Sequence, residues 1–306
     1  MNKQRVNILV DNTHFTRIER ILDYIHTNID SPLSVEYLAK KSCWSRWQLQ
    51  RIFLQETNQT VAQYVREIKL SRAAEQLLSN SNRIMDIALN CGFNSEISFN
   101  RSFKQLFQCS PRAYRKRGQH IGLKTPLISS MPNHQAYEVK KRLLQIRFDY
   151  QTDFYFYGVC GQIQGIFAKQ PNYAKTIPLI WQKMVDKTGI KPPFKKSVMG
   201  IIDTRESQDH ASNTYWAGYK VSKKETRSLA PEYLLHVPEQ TYAVIPHTGL
   251  VKHLDSTIQW FLSTWLPQSD YQSVEGFDLE IYQAGFDIHS NESTMECFIP
   301  IQLKPC

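Results

Sequence analysis

The sequence predicts two domains of different class: an all-α domain with two helix-turn-helix units, and an α+β domain built from a duplicated strand-helix-strand-strand unit. Three observations support this prediction. The chain has 306 residues, enough for two domains. Before residue 117 apolar residues recur every three or four positions, with no glycine ahead of Gly92. Beyond residue 136, Tyr, Phe, Val and Ile gather in short runs that are typical of strands.

The helical part contains an internal repeat. Residues 35–39 align with 84–88 at an offset of 49, and after one extra residue in the second copy the offset is 50. The later matches pair Leu49, Arg51, Phe53, Thr60 and Tyr64 with Phe99, Arg101, Phe103, Ser110 and Tyr114. Each copy predicts helix, tight turn, helix, with Ala39 or Ala88 where the two helices approach closely and Gly92 free to take a positive φ.

The second helix of each copy has one apolar face and one face suited to reading DNA. Leu49 and Phe53 are expected in the core. Arg can donate two hydrogen bonds to guanine, Gln or Asn can pair with adenine, and an apolar group can contact the thymine methyl. The outward residues with this chemistry are Trp47, Gln50 and Arg51 in the first copy and Ile97, Asn100 and Arg101 in the second. An ordinary solvated helix face is the alternative.

Charge divides the chain in the same way. The net charge is +9 and the isoelectric point about 9.2. Residues 1–120 carry 18 basic and 10 acidic side chains, whereas the remainder carries 19 and 18. The basic excess therefore lies in the helical part, where it favours a polyanion as the partner over a random surface excess.

Several classes of protein are excluded by what the sequence lacks. No run approaches the roughly 20 apolar residues that cross a bilayer, so we expect no membrane partner. The N-terminal apolar run, 8–10, is broken by Asp11, which does not fit a secretory signal and predicts a cytoplasmic protein. Six cysteines without a CxxC pair predict reduced thiols and no metal site.

Nothing in the sequence favours an enzyme. It contains no HExxH, GxSxG or phosphate-binding loop, so we expect no catalytic residues and no cofactor. His247 and His253 lie near Asp255 and are candidates for acid–base chemistry, although isolated histidines on a helix are usually surface residues.

Two segments resemble the halves of the DNA-binding domain of AraC/XylS-type transcriptional regulators: SVEYLAKKSCWSRWQLQRIFLQETNQTVAQYVREIKLSRAAEQLL and IMDIALNCGFNSEISFNRSFKQLFQCSPRAYRK. The resemblance implies that both second helices enter successive major-groove segments. It adds Arg46, Ser95 and Glu96 to the expected contacts. Many relatives carry a polar amide where Glu96 and Ile97 stand here, which favours phosphate contacts for the second helix, with Arg101 positioning the chain.

The second part of the chain resembles the GyrI-like domain, a small-molecule-binding fold, through DTRES, TYAVIPHTG, FDLEIY and ECFIPIQ. An effector domain placed after the DNA-binding domain is the order of Rob-type regulators. The resemblance implies a carboxylate, Glu280 or Glu296, in an aromatic-lined cleft suited to amphipathic or cationic molecules. The candidate walls are Trp181, Trp216, Tyr219 and Tyr282. Two glutamates on a solvated sheet face are the alternative.

The stretch 118–135 is rich in glycine, proline and serine and predicts a linker between a DNA-binding domain at 1–117 and an effector domain at 136–306. The sequence thus predicts an activator that binds double-stranded DNA as a monomer, contacts RNA polymerase and responds to a small-molecule effector. A drug-binding or drug-degrading module tethered to DNA is the main alternative, and purely architectural DNA binding is a third.

Overall fold

A computed structural model describes residues 17–130, 142–166, 168–190, 192, 194–205 and 212–305. The chain divides into two compact units, one of residues 1–130 and 141–148 and one of residues 131–140 and 149–306. We call the first the helical unit and the second the sheet unit.

The helical unit is a succession of helices joined by short turns. Residues 17–27 form α1. The following helices are α2 (Val35–Ser42), α3 (Arg46–Thr57), α4 (Val61–Ser79), α5 (Ile84–Asn90), α6 (Glu96–Phe107) and α7 (Pro111–Arg117). The pairs α2–α3 and α5–α6 are the two predicted helix-turn-helix units, and α4 joins them.

Side-chain caps start the helices at matching places in both copies. Ser45 begins α3 by accepting a hydrogen bond from the Gln48 backbone N–H, and the Gln48 side chain accepts a hydrogen bond from the Ser45 backbone N–H. Ser95 caps α6 through its own side chain, 50 residues later. Thr60 and Ser110 cap α4 and α7, also 50 residues apart. Such caps typically contribute about 1 kcal/mol each to helix stability. The internal repeat therefore includes the residues that begin the helices as well as the residues of the core.

The turn inside each unit has the same geometry. Cys43 in the first unit and Gly92 in the second both have a positive φ, 55° and 77°. The next backbone N–H then returns to the alanine of the preceding helix, from Trp44 to Ala39 at 3.1 Å and from Phe93 to Ala88 at 2.9 Å. The predicted role of Gly92 is confirmed, and Cys43 adopts the left-handed conformation without being a glycine.

The predicted inward residues of both reading helices are buried. Leu49, Phe53, Phe99 and Phe103 are each 0% exposed. The first copy packs with α1 and α4 in one core, and in the second copy the Phe99, Phe103 and Tyr114 rings contact one another in turn.

Part of the stretch predicted as a linker lies against the helical unit. Leu123 and Leu127 are buried, and the Lys124 ammonium is 2.7 Å from the Glu67 carboxylate on α4. The two matching tyrosines of the repeat also hold this segment. The Tyr64 hydroxyl accepts from the Leu127 N–H at 2.9 Å, and the Tyr114 hydroxyl donates to the Ile121 carbonyl at 2.9 Å. Residues 131–135 of the predicted linker lie outside the described residues.

A short ribbon completes the helical unit. It pairs β1 (Ile128–Ser130) with β2 (Arg142–Leu144) in antiparallel register. The following strand, β3 (Arg147–Gln151), contains the boundary between the two units.

The sheet unit repeats one strand-helix-strand-strand sequence. The first copy is β4 (Phe154–Gln164), α8 (Tyr173–Thr188), β5 (Val198–Asp203) and β6 (Ser212–Val221). After β7 (Leu234–Val237) the second copy is β8 (Gln240–Thr248), a helix, β10 (Phe277–Tyr282) and β11 (Thr294–Leu303). That helix runs as α9 (Leu254–Trp260), a π-helical turn (Phe261–Trp265) and α10 (Leu266–Gln268), followed by β9 (Tyr271–Ser273).

The strand order confirms the duplication. Across the sheet it is β3-β8-β11-β10-β5-β6-β4-β7, with β9 paired to β11. The first copy contributes β5-β6-β4 and the second β10-β11-β8, so the two halves meet where β10 pairs with β5. Because each half has the same internal order, a pseudo-twofold axis relates the two halves, and the β10–β5 pair lies at this axis.

Both helices of the sheet unit lie on one face of the sheet. The Trp181 indole of α8 bonds to Tyr215 of β6, and Thr257 of α9 bonds to His247 of β8. The opposite face carries a separate apolar core that includes Phe156, Ile201, Tyr242, Phe277 and Phe298. We call the face that carries α8 and α9 the helix-covered face. No helix in the described parts of the chain is both long and apolar enough to span a membrane.

Candidate DNA-binding surface and effector site

The outward face of α3 has the predicted residues in accessible positions. Trp47 is 64% exposed, and the Arg51 guanidinium lies 5.0 Å from the centre of its ring. Gln50 is exposed beside them. Arg46 forms an ion pair with Glu36 of α2 at 3.0 Å. The contact with Trp47 orders the long Arg51 side chain before any ligand arrives, which lowers the entropy cost of using it.

The outward face of α6 is placed in the same way but differs in chemistry. Ile97 is 83% exposed at the position that matches Trp47, and Glu96 and Arg101 are exposed beside it. Asn100 is half-buried. Ser95 caps the helix, so its oxygen already accepts the Ser98 N–H and only its hydroxyl proton is left to donate.

A cavity of about 400 Å³ adjoins α3. Its lining includes Trp44, Trp47 and Arg51, together with Arg17 from α1, whose guanidinium lies 5.8 Å from the Trp44 ring centre. Arg17 was not predicted from the sequence, because nothing in the repeat links α1 to the reading face. Arg17 adds a cation beside the first reading helix.

Some basic residues of the helical unit are used for structure and are not available to DNA. Arg115 donates to the backbone carbonyls of Leu77 and Asn82 and closes the end of α4. Lys69 is buried and donates to the Ser31 carbonyl at 2.9 Å, and burial lowers the pKa of its ammonium. The basic excess of the first 120 residues therefore overstates the charge that faces outward.

In the sheet unit, Glu280 is the centre of a hydrogen-bond network on the helix-covered face. The Tyr215 hydroxyl donates to Glu280 Oε2 at 2.7 Å, and the Tyr282 hydroxyl donates to the same oxygen at 2.8 Å. The Trp181 indole donates to the Tyr215 hydroxyl at 3.0 Å. Among the described residues no hydrogen bond reaches the other oxygen, Oε1.

Backbone geometry makes room for this carboxylate. Gly200 lies opposite Glu280 on β5. A Cβ at that position would lie 2.7 Å from Glu280 Oε2 and 2.1 Å from the Tyr215 hydroxyl, so only glycine permits the network.

Aromatic rings surround the same carboxylate. The Trp181 and Tyr282 rings meet edge to face with centres 5.4 Å apart, and Phe286 contacts Tyr282 at 5.0 Å. Burial raises the pKa of Glu280, and the hydrogen bonds from Tyr215 and Tyr282 oppose that rise by favouring the ionised form. An organic cation would find both a carboxylate oxygen and ring faces here.

The structure separates the six residues predicted for the effector site. Glu280, Trp181 and Tyr282 lie together. Tyr219 lies on the same face, opposite the β4 residue Tyr157, with ring centres 5.8 Å apart. Glu296 and Trp216 lie on the other face.

Strand register explains this correction. Glu296 is opposite Ile281, not Glu280, and neighbouring residues of a strand point to opposite faces. Trp216 is opposite Ile201 and packs with the apolar core of that far face. Neither side chain therefore joins Glu280.

One residue of this site was missed from the sequence. Asp278 precedes Glu280 by two positions on β10 and so projects from the same face. Burial and the neighbouring charge of Glu280 raise the pKa of Asp278 to about 7. The alternation in FDLEIY held this information, since it places both carboxylates on the polar side of the strand.

The residues considered for acid–base chemistry, His247, His253 and Asp255, form no hydrogen bonds with one another among the contacts described. The His247 ring nitrogens contact the Thr257 hydroxyl and the Leu250 carbonyl, both at 3.1 Å, and the residue is 5% exposed. Asp255 instead accepts from the Tyr173 hydroxyl at 3.1 Å. In the part of the chain that the structure describes, no three His, Cys, Asp or Glu side chains are grouped as metal ligands.

Comparison with known proteins agrees with the two-part architecture. A family model described as a helix-turn-helix domain matches residues 38–117. The multiple antibiotic resistance protein MarA of Salmonella typhimurium is 38% identical over 109 residues, which is 36% of this chain and 86% of MarA. The regulatory protein SoxS of Escherichia coli K12 is 38% identical over 105 residues, 34% of this chain and 98% of SoxS.

The chain belongs to the AraC/XylS family of transcriptional regulators. Like them it carries an AraC-type DNA-binding domain, and each of these two relatives matches about a third of this regulator.

The C-terminal part of this AraC-family regulator has its own match. A family model described as an integron-associated effector binding protein covers residues 162–301, which contain Trp181, Glu280 and Tyr282.

Two solved structures are each similar to part of this chain. An AraC-type regulator from Chromobacterium violaceum is 31% identical over 34% of this chain and 92% of its own, with a TM-score of 0.32. SAV2435, solved with tetraphenylphosphonium, is 13% identical over 51% of this chain and 93% of its own, with a TM-score of 0.41.

Proposed function

We propose that this regulator is an activator that reads an asymmetric duplex site as a monomer, with α3 and α6 as its two reading helices, and that its sheet unit binds small amphipathic cations. The activator contacts RNA polymerase from its DNA site. It has no catalytic step of its own: the residues around Glu280 offer a counter-charge and aromatic walls, which suit binding.

The matched reading faces support the DNA part of the proposal. Trp47 and Ile97 are exposed at equivalent positions, and each is followed four residues later by an exposed arginine, Arg51 or Arg101. A monomer with two such helices needs no second chain to cover two major-groove segments. The two faces are chemically different, which favours an asymmetric site.

Substitutions of Arg51 test whether α3 reads the base sequence. Arg51→Ala should weaken binding to the cognate site by about 1–3 kcal/mol and relax the preference at one base pair. Arg51→Lys is the matched control, since it keeps the charge and loses the two-pronged donor. If Arg51 reads guanine, both variants lose discrimination between cognate and mutated duplexes. If Arg51→Lys binds and discriminates like the wild type, Arg51 contacts phosphate only.

Two further measurements test the proposed binding as a monomer and the proposed activation of transcription. Sedimentation of the complex should give one chain per duplex, and two chains would refute the monomer. Transcription in vitro with purified RNA polymerase should rise when the protein is added to a promoter that carries its site. A fall in transcription would make this protein a repressor.

The Glu280 site supports the effector part of the proposal. A carboxylate with one oxygen that accepts no hydrogen bond from the described residues, beside the Trp181 and Tyr282 rings, is an arrangement that attracts organic cations. Each interaction is strengthened by the low dielectric of a buried site.

Glu280→Gln tests this site with little change in shape. We expect it to reduce the affinity of hydrophobic monocations such as benzyltriethylammonium by about tenfold or more, because it removes the counter-charge. Glu296→Gln is the matched control on the far face and should leave affinity unchanged. Equal affinities for wild type and Glu280→Gln would refute the site.

A further inference from the structure

Asp278 is a second carboxylate on the helix-covered face, and the network around Glu280 does not use it. It lies opposite Ile202 on β5 and retains partial exposure. Within the described residues it takes no hydrogen bond and forms no ion pair. Desolvation makes its ionised form costly unless the carboxyl takes up a proton or meets a cationic partner.

None of the described residues supplies that partner. The ion pairs of the described residues in the sheet unit join Arg205 with Asp203 and His236 with Asp153, and neither involves Asp278 or Glu280. Between them, the two carboxylates have three oxygens that accept no hydrogen bond from the described residues. Two acidic groups on one strand face, with no cation paired to them among the described residues and with the Trp181 and Tyr282 rings at the Glu280 end, indicate an organic ligand with more than one positive group.

We propose that Asp278 and Glu280 together select dicationic amphiphiles, with each carboxylate holding one ammonium group. The inference rests on the proposed effector function and makes it more specific. Residues i and i+2 of a strand are about 7 Å apart, so the two nitrogens of the ligand should be separated by a similar distance. A four-carbon diamine meets this requirement. A metal ion is not favoured, because among the described residues no third His, Cys, Asp or Glu is grouped with these two carboxylates to complete a ligand set.

Protonation of Asp278 couples this selection to pH. With a pKa of about 7, Asp278 is about half protonated near neutrality in the free protein, and an ammonium group bound beside it favours the ionised form. The other titratable groups on this face are Glu280, Tyr215, Tyr282 and Cys297, and the Tyr242 hydroxyl, which packs in the apolar core of the far face, interacts with the charge of Asp278. The tyrosine and cysteine pKa values are all raised, so those groups stay neutral between about pH 6 and 8.

The test compares two ligands that differ in one charge: N-benzyl-1,4-diaminobutane and N-benzylbutylamine. Dissociation constants are measured by calorimetry on the full chain, for wild type, Asp278→Asn and Glu280→Gln, at pH 6 and pH 8. Wild type should bind the diamine about tenfold or more tightly than the monoamine at pH 8, with a smaller preference at pH 6. Asp278→Asn should lose this preference and its pH dependence.

The outcomes separate this inference from the proposed function. If wild type binds both amines with equal affinity at both pH values, the dication inference is refuted while cation binding stands. A diamine preference that survives in Asp278→Asn also refutes it. If neither amine binds, the effector proposal fails and this inference fails with it. The wild-type comparison alone decides the matter if Asp278→Asn does not fold.

Discussion

Replacing Asp278 by asparagine should stabilise the folded protein, and the gain should depend on pH. The ordinary pKa of this carboxyl is 3.8, and burial raises it to about 7 in the folded chain. A pKa that differs by one between the folded and unfolded states corresponds to about 1.4 kcal/mol, so holding Asp278 ionised costs the folded state about 4 kcal/mol at most. Asparagine keeps the shape and cannot ionise.

The sign follows from proton binding. Between about pH 4 and 7 the folded state binds the proton more tightly than the unfolded state, so the free energy of unfolding decreases as the pH rises through this window. Asp278→Asn should remove this decrease. Its advantage over wild type should be about 2–4 kcal/mol at pH 8 and should shrink toward pH 4.

Urea unfolding followed by tryptophan fluorescence at pH 5 and pH 8 measures this difference. Asp186→Asn is a suitable control, since Asp186 is an aspartate on α8 of the same unit whose side chain takes part in an exposed hydrogen bond with Gln182. A stability gain for Asp278→Asn that is the same at both pH values would show that ionisation is not the cause. No gain at pH 8 would refute the conclusion that folding disfavours the ionised form of Asp278.

Three predictions concern the helical unit. Tyr64→Phe should cost about 2 kcal/mol and speed hydrogen exchange at the Leu127 amide, because that buried donor loses its acceptor; Tyr114→Phe should cost less and leave that amide protected. Gly92→Ala should cost about 1 kcal/mol or more in urea unfolding because its φ is 77°, whereas Cys43→Gly should change stability by less than about 1 kcal/mol. By NMR His26 should titrate below 6.5, since burial lowers its pKa, and stability should fall as the pH drops below that value.

The helical unit was largely predictable because local signals and tertiary contacts agree. The repeat offset follows from apolar spacing, and the same offset relates the capping residues Ser45 and Ser95. The segment around Lys124 shows where local signals fail. Its glycines and prolines are typical of a linker, but they do not reveal that the Tyr64 and Glu67 side chains bind it across more than 50 positions.

The effector site was predictable only in part, because face assignment depends on register. Alternation within one strand is visible in the sequence, and it joins Asp278 to Glu280. Pairing between strands is not visible, and a shift of one residue moves a side chain to the other face. Glu296 was misplaced for this reason: it is opposite Ile281. The close approach that makes Gly200 necessary likewise involves Tyr215 and Glu280 from other strands.

The single helix α4 constrains how target sites for this regulator can vary. It is 19 residues long, about 28 Å at 1.5 Å per residue, and it contacts α3 as well as α5 and α6. The two proposed reading helices, α3 and α6, thus pack against the same helix. One turn of duplex is about 34 Å. Each base pair added between the two groove segments rotates the second segment away from the helix that would contact it. Promoters served by this protein should therefore tolerate substitutions within each segment far better than insertions or deletions between them.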